Sequence, residues 1–338
     1  MSSKHGLKTE QKYIFEPTTI MITLFLVSVM AFAIPVKAGT VWHVYPGPGT
    51  PIQNAVNSAN PGETILVHTG VYPESISVSK SLNIKAQGAV KVNPTPTGFT
   101  NGFYVISNGV TIEGFEIADT NFGIWFEGSY NTFSHNYIHD IHSTVNWYDG
   151  GVGISLWDMN GGSNYNEIAF NVIENVERTG ILLDVAWTDG GTGIDTGNSI
   201  HHNKISHTPW GAIEVLNAEW TEIHHNTISD CGDWGIALFN AESGINSNYN
   251  SIHHNKISDA TGSTYWGVGI LVYAWGGTAE QNIVHHNDIS NIDGSVKVGI
   301  WILANKNQIH HNSVDQITVP NPYWDSGTGN KDFKNSWN

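Results

Sequence analysis

Along most of the chain, apolar and polar positions alternate in short runs. They read Gly123-Ile-Trp-Phe126, Gly153-Ile-Ser-Leu156, Gly180-Ile-Leu-Leu183, Gly235-Ile-Ala-Leu238, Gly269-Ile-Leu-Val272 and Gly299-Ile-Trp-Ile302, with Ala212-Ile-Glu-Val215 filling the remaining place. A period of two predicts short strands with alternate side chains inward. A second motif interleaves with the first: Ile200-His-His-Asn-Lys-Ile205, Ile223-His-His-Asn-Thr-Ile228, Ile252-His-His-Asn-Lys-Ile257, Val284-His-His-Asn-Asp-Ile289 and Ile309-His-His-Asn-Ser-Val314. Looser copies are Phe133-Ser-His-Asn-Tyr-Ile138 and Ile168-Ala-Phe-Asn-Val-Ile173.

The Asn of this motif falls at 136, 171, 203, 226, 255, 287 and 312, at spacings of 23 to 35 residues. Repetition on that scale is the signature of a solenoid. The shortest spacing fits one coil of three strands, and the excess fits loop insertions. The expected fold is therefore all-β: a single-stranded right-handed parallel β-helix over residues 63–318. Stacked coils place equivalent residues about 4.8 Å apart. An Asn at every rung reads as a corner residue that tolerates left-handed backbone and bonds to the Asn above and below. Thr50-Pro51-Ile-Gln-Asn-Ala-Val-Asn-Ser-Ala59 has a capping residue, Pro at the first helical position and an apolar face. It predicts a short helix, within residues 39–62, closing the end of the solenoid. Residues 319–338 lack the repeat and read as an irregular tail, a lid or an oligomer contact; a homo-oligomer stays open.

The first 38 residues differ. Lys4, Lys8 and Lys12 precede an uncharged run from Pro17 to Val36, and Val36-Lys37-Ala38 offers small residues at −3 and −1. The pattern predicts a cleaved signal peptide, with an uncleaved anchor as the alternative. The mature protein is then secreted or held at the cell surface, or periplasmic in a two-membrane cell. Cleavage removes four Lys and two Glu, leaving 10 basic and 28 acidic residues. A net charge of −18 excludes nucleic acid and anionic membrane as partners, and favours neutral polymers, cations or an anionic polymer bridged by a cation. The lone Cys231 rules out an internal disulfide and reads as a small buried residue.

The opening Ile52-Gln-Asn-Ala-Val56, then Gly70-Val-Tyr-Pro-Glu-Ser75 and the repeats over residues 40–314 resemble the secreted pectin-lyase-like β-helix superfamily, in its NosD-type Asn-rich subgroup. The resemblance implies the β-helix fold, but spans polysaccharide lyases, hydrolases, epimerases, tailspikes, envelope proteins and maturation factors. The Asp-Pro-His element of the mannuronan epimerases and the Asn-Thr-Asp, Asp-Asp and Gly-His-Gly series of the polygalacturonase-like hydrolases are missing from the sequence. Function has to be argued from a site.

Alternation along the Gly-Ile strands sends Trp125, Glu127, Ser155, Trp157, Leu182, Asp184, Glu214, Leu216, Ala237, Phe239, Leu271, Tyr273, Trp301 and Leu303 outward. Carboxylates beside aromatic rings suit a polysaccharide: Trp125, Glu127, Trp157, Phe239, Tyr273 and Trp301 are the candidate sugar contacts. The competing reading is that tryptophans of the flanking loops, such as Trp147, Trp187, Trp210, Trp220, Trp234, Trp266 and Trp275, pack on one another. Asp184 and Glu214 lie on successive coils two residues out of step, with backbones about 8 Å apart. That separation suits an inverting glycosidase pair. Asp158, Asp184 and Asp189 concentrate oxygen ligands and make Ca²⁺ the candidate cofactor, as a β-elimination lyase acting on a uronate would need. Arg178, the single Arg of the chain, and His142 and His207 are the candidate bases. The His pairs at 201/202, 224/225, 253/254, 285/286 and 310/311 read as a stacking ladder, with a Cu or Zn site as the alternative. The leading function is therefore an extracellular polysaccharide-binding or polysaccharide-degrading protein, lyase- or glycosidase-like. The alternatives are a non-catalytic envelope or adhesion protein and a periplasmic metal-handling protein.

Overall fold

The computed structural model describes residues 39–94, 100–143, 150–158, 162–184, 193–240, 245–261, 266–315 and 318–337. The expected signal segment, Trp147, Trp187 and Asp189 lie outside them, as does the side chain of Asp184. From Val41 onward the chain winds through short parallel strands, each paired with its equivalents on the coils before and after. Ten strands, from Ile76–Val78 to Asn321–Asp325, form one long ladder, here called the Gly-Ile ladder. Its register puts Ile124, Ile154, Ile181, Ile213, Ile236, Ile270 and Ile300 in one column, each with no exposed surface. The Gly before each of these Ile, replaced by Ala212 before Ile213 alone, is a close-approach position. A Cβ on Gly123 would lie 2.5 Å from both the Gly153 carbonyl and the Ile138 Cγ2. The remaining strands form the other faces. Three-residue strands such as Glu222–His224 alternate with five-residue strands such as Thr227–Cys231.

The corners differ from expectation in one respect. The left-handed residue is not the repeated Asn but the residue before it: His135, Phe170, His202, His225, His254, His286 and His311 all have φ between 54° and 58°. The next residue can therefore aim its amide inward, where Asn136, Asn171, Asn203, Asn226, Asn255, Asn287 and Asn312 are each 1% exposed. Each amide NH₂ donates to the next Asn Oδ1, as from Asn226 to Asn255 at 3.0 Å, and to a carbonyl of the preceding coil, as to Ile200 at 2.9 Å. Each Oδ1 also accepts the backbone N–H of the preceding Asn. Every polar atom of the buried amide is used, which is the condition for burying it cheaply.

A second buried ladder runs through Asn131, Asn166, Asn198, Asn250, Asn282 and Asn307, with bonds such as Asn250 Nδ2 to Asn282 Oδ1 at 3.1 Å. Thr221 interrupts it; its buried hydroxyl has no hydrogen-bond partner. Left-handed residues precede this ladder too (Tyr130, Tyr165, Gly197, Trp220, Tyr249), and a third left-handed column occupies the fourth position of the five-residue strands (Asp140, Asn175, His207, Asp230, Asp259), with Asn291 in the equivalent place just after Asp288–Ser290. Each coil thus bends three times at a residue with positive φ.

The capping helix is Pro51–Ser58, with Ile52, Ala55 and Val56 buried. Thr50 makes no side-chain cap bond. The cap comes instead from Glu74, whose carboxylate accepts the N–H of Ile52 and of Gln53, each at 2.9 Å. An anion at a helix N-terminus meets unpaired donors and the positive dipole end. Burial pushes the Glu74 carboxyl above its usual range. The two motifs that carry the family resemblance at the start of the chain are thereby joined. At the other end, the tail that lacks the repeat forms a further coil. Asn321–Asp325, Lys331–Phe333 and Ser336–Trp337 add strands, and Asn335 accepts the last bond of the corner ladder from Asn312 at 2.9 Å.

Candidate functional site

The outward side of the Gly-Ile ladder divides into two columns. The first runs Trp125, Ser155, Leu182, Glu214, Ala237, Leu271, Trp301 and Trp324. Its middle is not an open surface. Ser155, Leu182, Ala237 and Leu271 are at most 1% exposed, and Leu182 and Leu271 belong to apolar clusters separate from the main core. Trp125 packs on Phe122 at 5.2 Å and on Tyr104 at 5.3 Å. Trp301 lies between Trp266 at 5.2 Å and Trp324 at 5.1 Å. Rings packing on rings is the competing reading of the tryptophans, and in this column it describes the contacts found.

Glu214 departs furthest from expectation. It is 5% exposed, so it does not stand on the surface where a substrate would meet it. Its carboxylate accepts the Thr179 hydroxyl at 2.9 Å, with Arg178 and Trp234 adding interactions that favour its charge. Burial outweighs them and holds the carboxyl above its ordinary range. Arg178 is itself 7% exposed, with its guanidinium 5.4 Å from the Trp210 ring centre. The Glu214 carboxylate thereby links its own strand, Gly211–Leu216, to the start of the preceding one at Thr179. The register does put Asp184 two residues beyond the Glu214 partner Leu182, as expected, but the Glu214 carboxylate is buried and is not part of an open face.

The second column is the outer one. It contains Glu127, Trp157, Leu216, Phe239, Tyr273 and Leu303, and Asp184 pairs with Trp157 along its backbone. All but Leu216 keep part of their surface. Glu127 is partly buried, and its carboxyl is pushed above the usual range first by burial and then by the charge of Asp158. Asp158, the one expected Ca²⁺ ligand whose side chain is described, accepts the Ser163 hydroxyl at 2.7 Å. Trp157 stands 6.4 Å from Trp125, edge to face. A carboxyl with a raised pKa, a neighbouring carboxylate and two indoles therefore meet at this end of the ladder. Such an arrangement can stack a sugar ring and exchange a proton with its substituents.

His142 and His207, expected as bases, are elsewhere. They line a cleft of about 380 Å³ at the turn before the Gly-Ile strands, with Pro209, Gly232 and Thr261. His142 Nδ1 lies 3.2 Å from Glu177, and His207 Nε2 lies 3.1 Å from Asp230. Cys231 is buried behind them, its thiol pushed up to about 12 by burial, which makes it inert as a nucleophile.

The sequence reading missed an exposed aromatic corner. Tyr130 stacks on Tyr165 at 5.3 Å and Trp220 on Tyr249 at 4.6 Å, all at left-handed positions. The available signal was the aromatic residue directly preceding Asn131, Asn166, Thr221 and Asn250 of the second ladder. The histidine columns, by contrast, stack as expected. His201, His224, His253, His285 and His310 face one another at 4.8 to 5.1 Å between ring centres.

Residues 162–315 match the family model described as a right handed beta helix region. No curated protein matches the sequence. Solved structures match along most of the chain. An alginate lyase from Paenibacillus sp. str. FPU-7 is similar with a TM-score of 0.59 at 15% identity, covering 87% of this chain and 99% of its own. XylC in complex with xylose gives 0.57 at 13%, covering 85% and 70%. The tailspike protein of E. coli bacteriophage HK620 in complex with a pentasaccharide gives 0.54 at 12%, covering 95% and 61%. Identities this low speak for a shared fold.

Proposed function

We propose that this right-handed parallel β-helix of the pectin-lyase-like type binds a polysaccharide along the outer column of its Gly-Ile ladder. One observation carries the reading: the outer column keeps three partly exposed rings, Trp157 one coil from the raised carboxyl of Glu127, and Phe239 and Tyr273 on neighbouring coils further along, past the buried Leu216. Rings spaced along one face offer stacking platforms to separate units of a sugar chain. The three structural neighbours, named for alginate cleavage or solved with bound sugars, agree with it. Turnover, if the protein has it, belongs to Glu127 as proton donor with Asp158 as the charged partner. Ca²⁺ at Asp158 would serve an anionic polymer. Export through cleavage after Ala38 places the protein where such polymers occur.

A second reading, a non-catalytic envelope or adhesion protein, is favoured by the buried middle of the first column, which leaves little room for a deep cleft. A panel of polysaccharides, assayed with and without Ca²⁺ for binding, reducing ends and unsaturated products, tests both. We expect binding of at least one polymer that Trp157→Ala and Tyr273→Ala weaken, and any turnover to be lost in Glu127→Gln. A blank panel with well-folded protein overturns the sugar reading and leaves the envelope reading.

A further inference from the structure

The corner that precedes the second Asn ladder holds side chains its backbone does not call for. Coil after coil turns there through a left-handed residue, and Gly109, Gly197 and Gly329 show that glycine suffices. Tyr130, Tyr165, Trp220 and Tyr249 adopt the same conformation, at φ of 56° to 61°, where bulky side chains are disfavoured. Their rings do not enter the core: Tyr165 is 53% exposed and Trp220 56%. They stack in two pairs, Tyr130 on Tyr165 at 5.3 Å and Trp220 on Tyr249 at 4.6 Å between ring centres. Between the pairs comes the coil of Gly197, which adds no side chain to the column. The column is therefore broken by a gap one rung deep, with the unstacked face of Tyr165 on one side and that of Trp220 on the other. Coils rise about 4.8 Å, so the backbones of Tyr165 and Trp220 are roughly 9.6 Å apart. A ring held between two aromatic faces at van der Waals distance, about 3.5–4.0 Å from each, needs about 7–8 Å. Tyr165 takes up the difference by leaning over the gap: a Cβ on Gly197 would lie 2.6 Å from its Cε1.

We propose that this gap is a second sugar site, in which one pyranose ring of a neutral glycan lies between Tyr165 and Trp220 beside Gly197. The C–H faces of a pyranose stack on aromatic rings, and its hydroxyls then project sideways out of the stack. Acceptors stand at both sides. Thr196 and Glu219, paired across adjacent coils, form one shoulder of the gap. Glu167, Ser199 and Glu222, paired along the short strands, form the other. All five keep exposed surface. Carboxylates accept from sugar hydroxyls and repel a uronate, and the chain carries a net charge of −16, so the site takes neutral units rather than anionic ones. Gly197 sets the gap: its N–H donates to the Glu219 carbonyl at 3.0 Å, which keeps the rung in register while nothing stands above it. The inference rests on the sugar reading for its class of ligand and shares no residue with the outer column. A glycan anchored here raises the concentration of polymer along that column.

Fluorine NMR of the protein labelled with 5-fluorotryptophan tests the site, with the Trp220 resonance assigned by its absence from Trp220→Phe. The probes are xylohexaose, cellohexaose and mannohexaose as neutral glycans, tetragalacturonate as an anionic one, and indole as a flat ring that is no sugar. The expected result is a saturable shift of the Trp220 resonance with at least one neutral hexasaccharide and none with tetragalacturonate. Gly197→Tyr fills the gap with a residue this corner already accepts at Tyr130 and Tyr165, and should abolish the sugar-dependent shift. Tyr165→Ala removes one wall and should weaken binding about ten-fold. No shift with any neutral glycan, or undiminished affinity in Gly197→Tyr, overturns the slot. Tetragalacturonate or indole binding as tightly as the best neutral glycan overturns the neutral-sugar assignment. Should Gly197→Tyr not fold, Tyr165→Ala decides, since it removes an exposed ring and leaves the core untouched. A shift lost in Trp157→Ala and kept in Gly197→Tyr assigns the sugar to the outer column, which overturns the slot and leaves the proposed function standing. A shift lost in Gly197→Tyr, with no polymer responding to Trp157→Ala, upholds the slot and removes the outer column.

Discussion

Two outward faces of the same solenoid obey opposite rules. On the short-strand face the repeat is almost literal, and His follows His through five coils in register. On the Gly-Ile face the inward Ile repeats just as strictly, while the outward column changes at every rung from Trp to Ser, Leu, Glu, Ala, Leu and Trp. Stacking identical rungs is a cheap way to build a solenoid, because each residue is satisfied by its own copy above and below. Departures from the repeat cost that regularity and need another cause. On the Gly-Ile face the cause is visible for Glu214 and Leu271, which are covered by further packing, and for Glu127 and Trp157, which are left at the surface. Repetition marks scaffold, and variation marks where the scaffold is put to use.

The largest effect should come from breaking the strict repeat where it is buried. Asn226→Ala removes an amide that bonds to Asn203, Ile200 and Asn255. Each buried group left unpaired costs about 1–3 kcal/mol, so chemical denaturation should show a loss of several kcal/mol. Asn305→Ala, at an exposed position bonded to Thr328, should stay within about 0.5 kcal/mol. Equal midpoints for the two variants would refute the division between buried ladder and surface.

Acid should act next, and on the histidine face alone. Partial burial and then the charges of neighbouring imidazoles lower His224, His253 and His285 to about 4 from the ordinary 6.5. A histidine whose pKa is depressed on folding binds its proton more readily when unfolded. Its stability contribution is intact above 6.5, declines as pH falls through that value, and is fully lost below about 4. Thermal melts without metal should therefore fall steadily between pH 6.5 and 4. A variant with Asn at the second histidine of every pair should fall less steeply, because the neighbouring positive charges are gone. Parallel pH profiles would mean the carboxylates, not the stack, set the acid limit.

The corner ladder was legible because its Asn sits inside a contiguous six-residue motif. The second ladder has the same chemistry yet escapes notice, because its neighbours diverge. Its only regular trace is an Asn five residues before every corner Asn except Asn226, as in Asn166 and Asn171 or Asn282 and Asn287. The tail escaped for the same reason: Asn330 and Asn335 keep that spacing while the His pair is replaced by Phe333 and Lys334. Which side chains alternate outward was equally readable. Which of those remain exposed was not, since Leu271 and Tyr273 both alternate outward and only the packing over the strand buries the first. The cap was misjudged because Thr50 satisfies a local rule, while Glu74 reaches the same donors from a distant coil.

A smaller, positive effect should follow from restoring the repeat where it lapses. Thr221 holds the place of an Asn between Asn198 and Asn250, and its N–H already donates to Asn250 Oδ1 at 2.8 Å. Thr221→Asn supplies an acceptor to Asn198 and a second donor to Asn250, and it removes a buried hydroxyl without a partner. The net gain for one satisfied amide is about 1 kcal/mol. A rise of a few degrees in Tm is expected, and a fall would show that the coil at Trp220 is too tight for the larger amide.

The smallest stability effect belongs to the rings that the sugar reading needs. Leu271 and Tyr273 lie on one strand, both outward, two residues apart. Leu271 has no exposed surface, and truncating a fully buried Leu costs about 2–5 kcal/mol through lost transfer and the cavity left behind. Tyr273 is only partly buried, meeting Phe239 at 6.2 Å and Trp275 at 6.0 Å, and water can fill the space its ring vacates. Tyr273→Ala should therefore leave the midpoint nearly unchanged and, like Trp157→Ala, reduce affinity for whichever polymer the panel identifies. Leu271→Ala should do the reverse, lowering stability while a folded sample binds as before. If Tyr273→Ala destabilises as much as Leu271→Ala, the outer column is scaffold as well, and the distinction between a repeating face and a used one fails where it matters most.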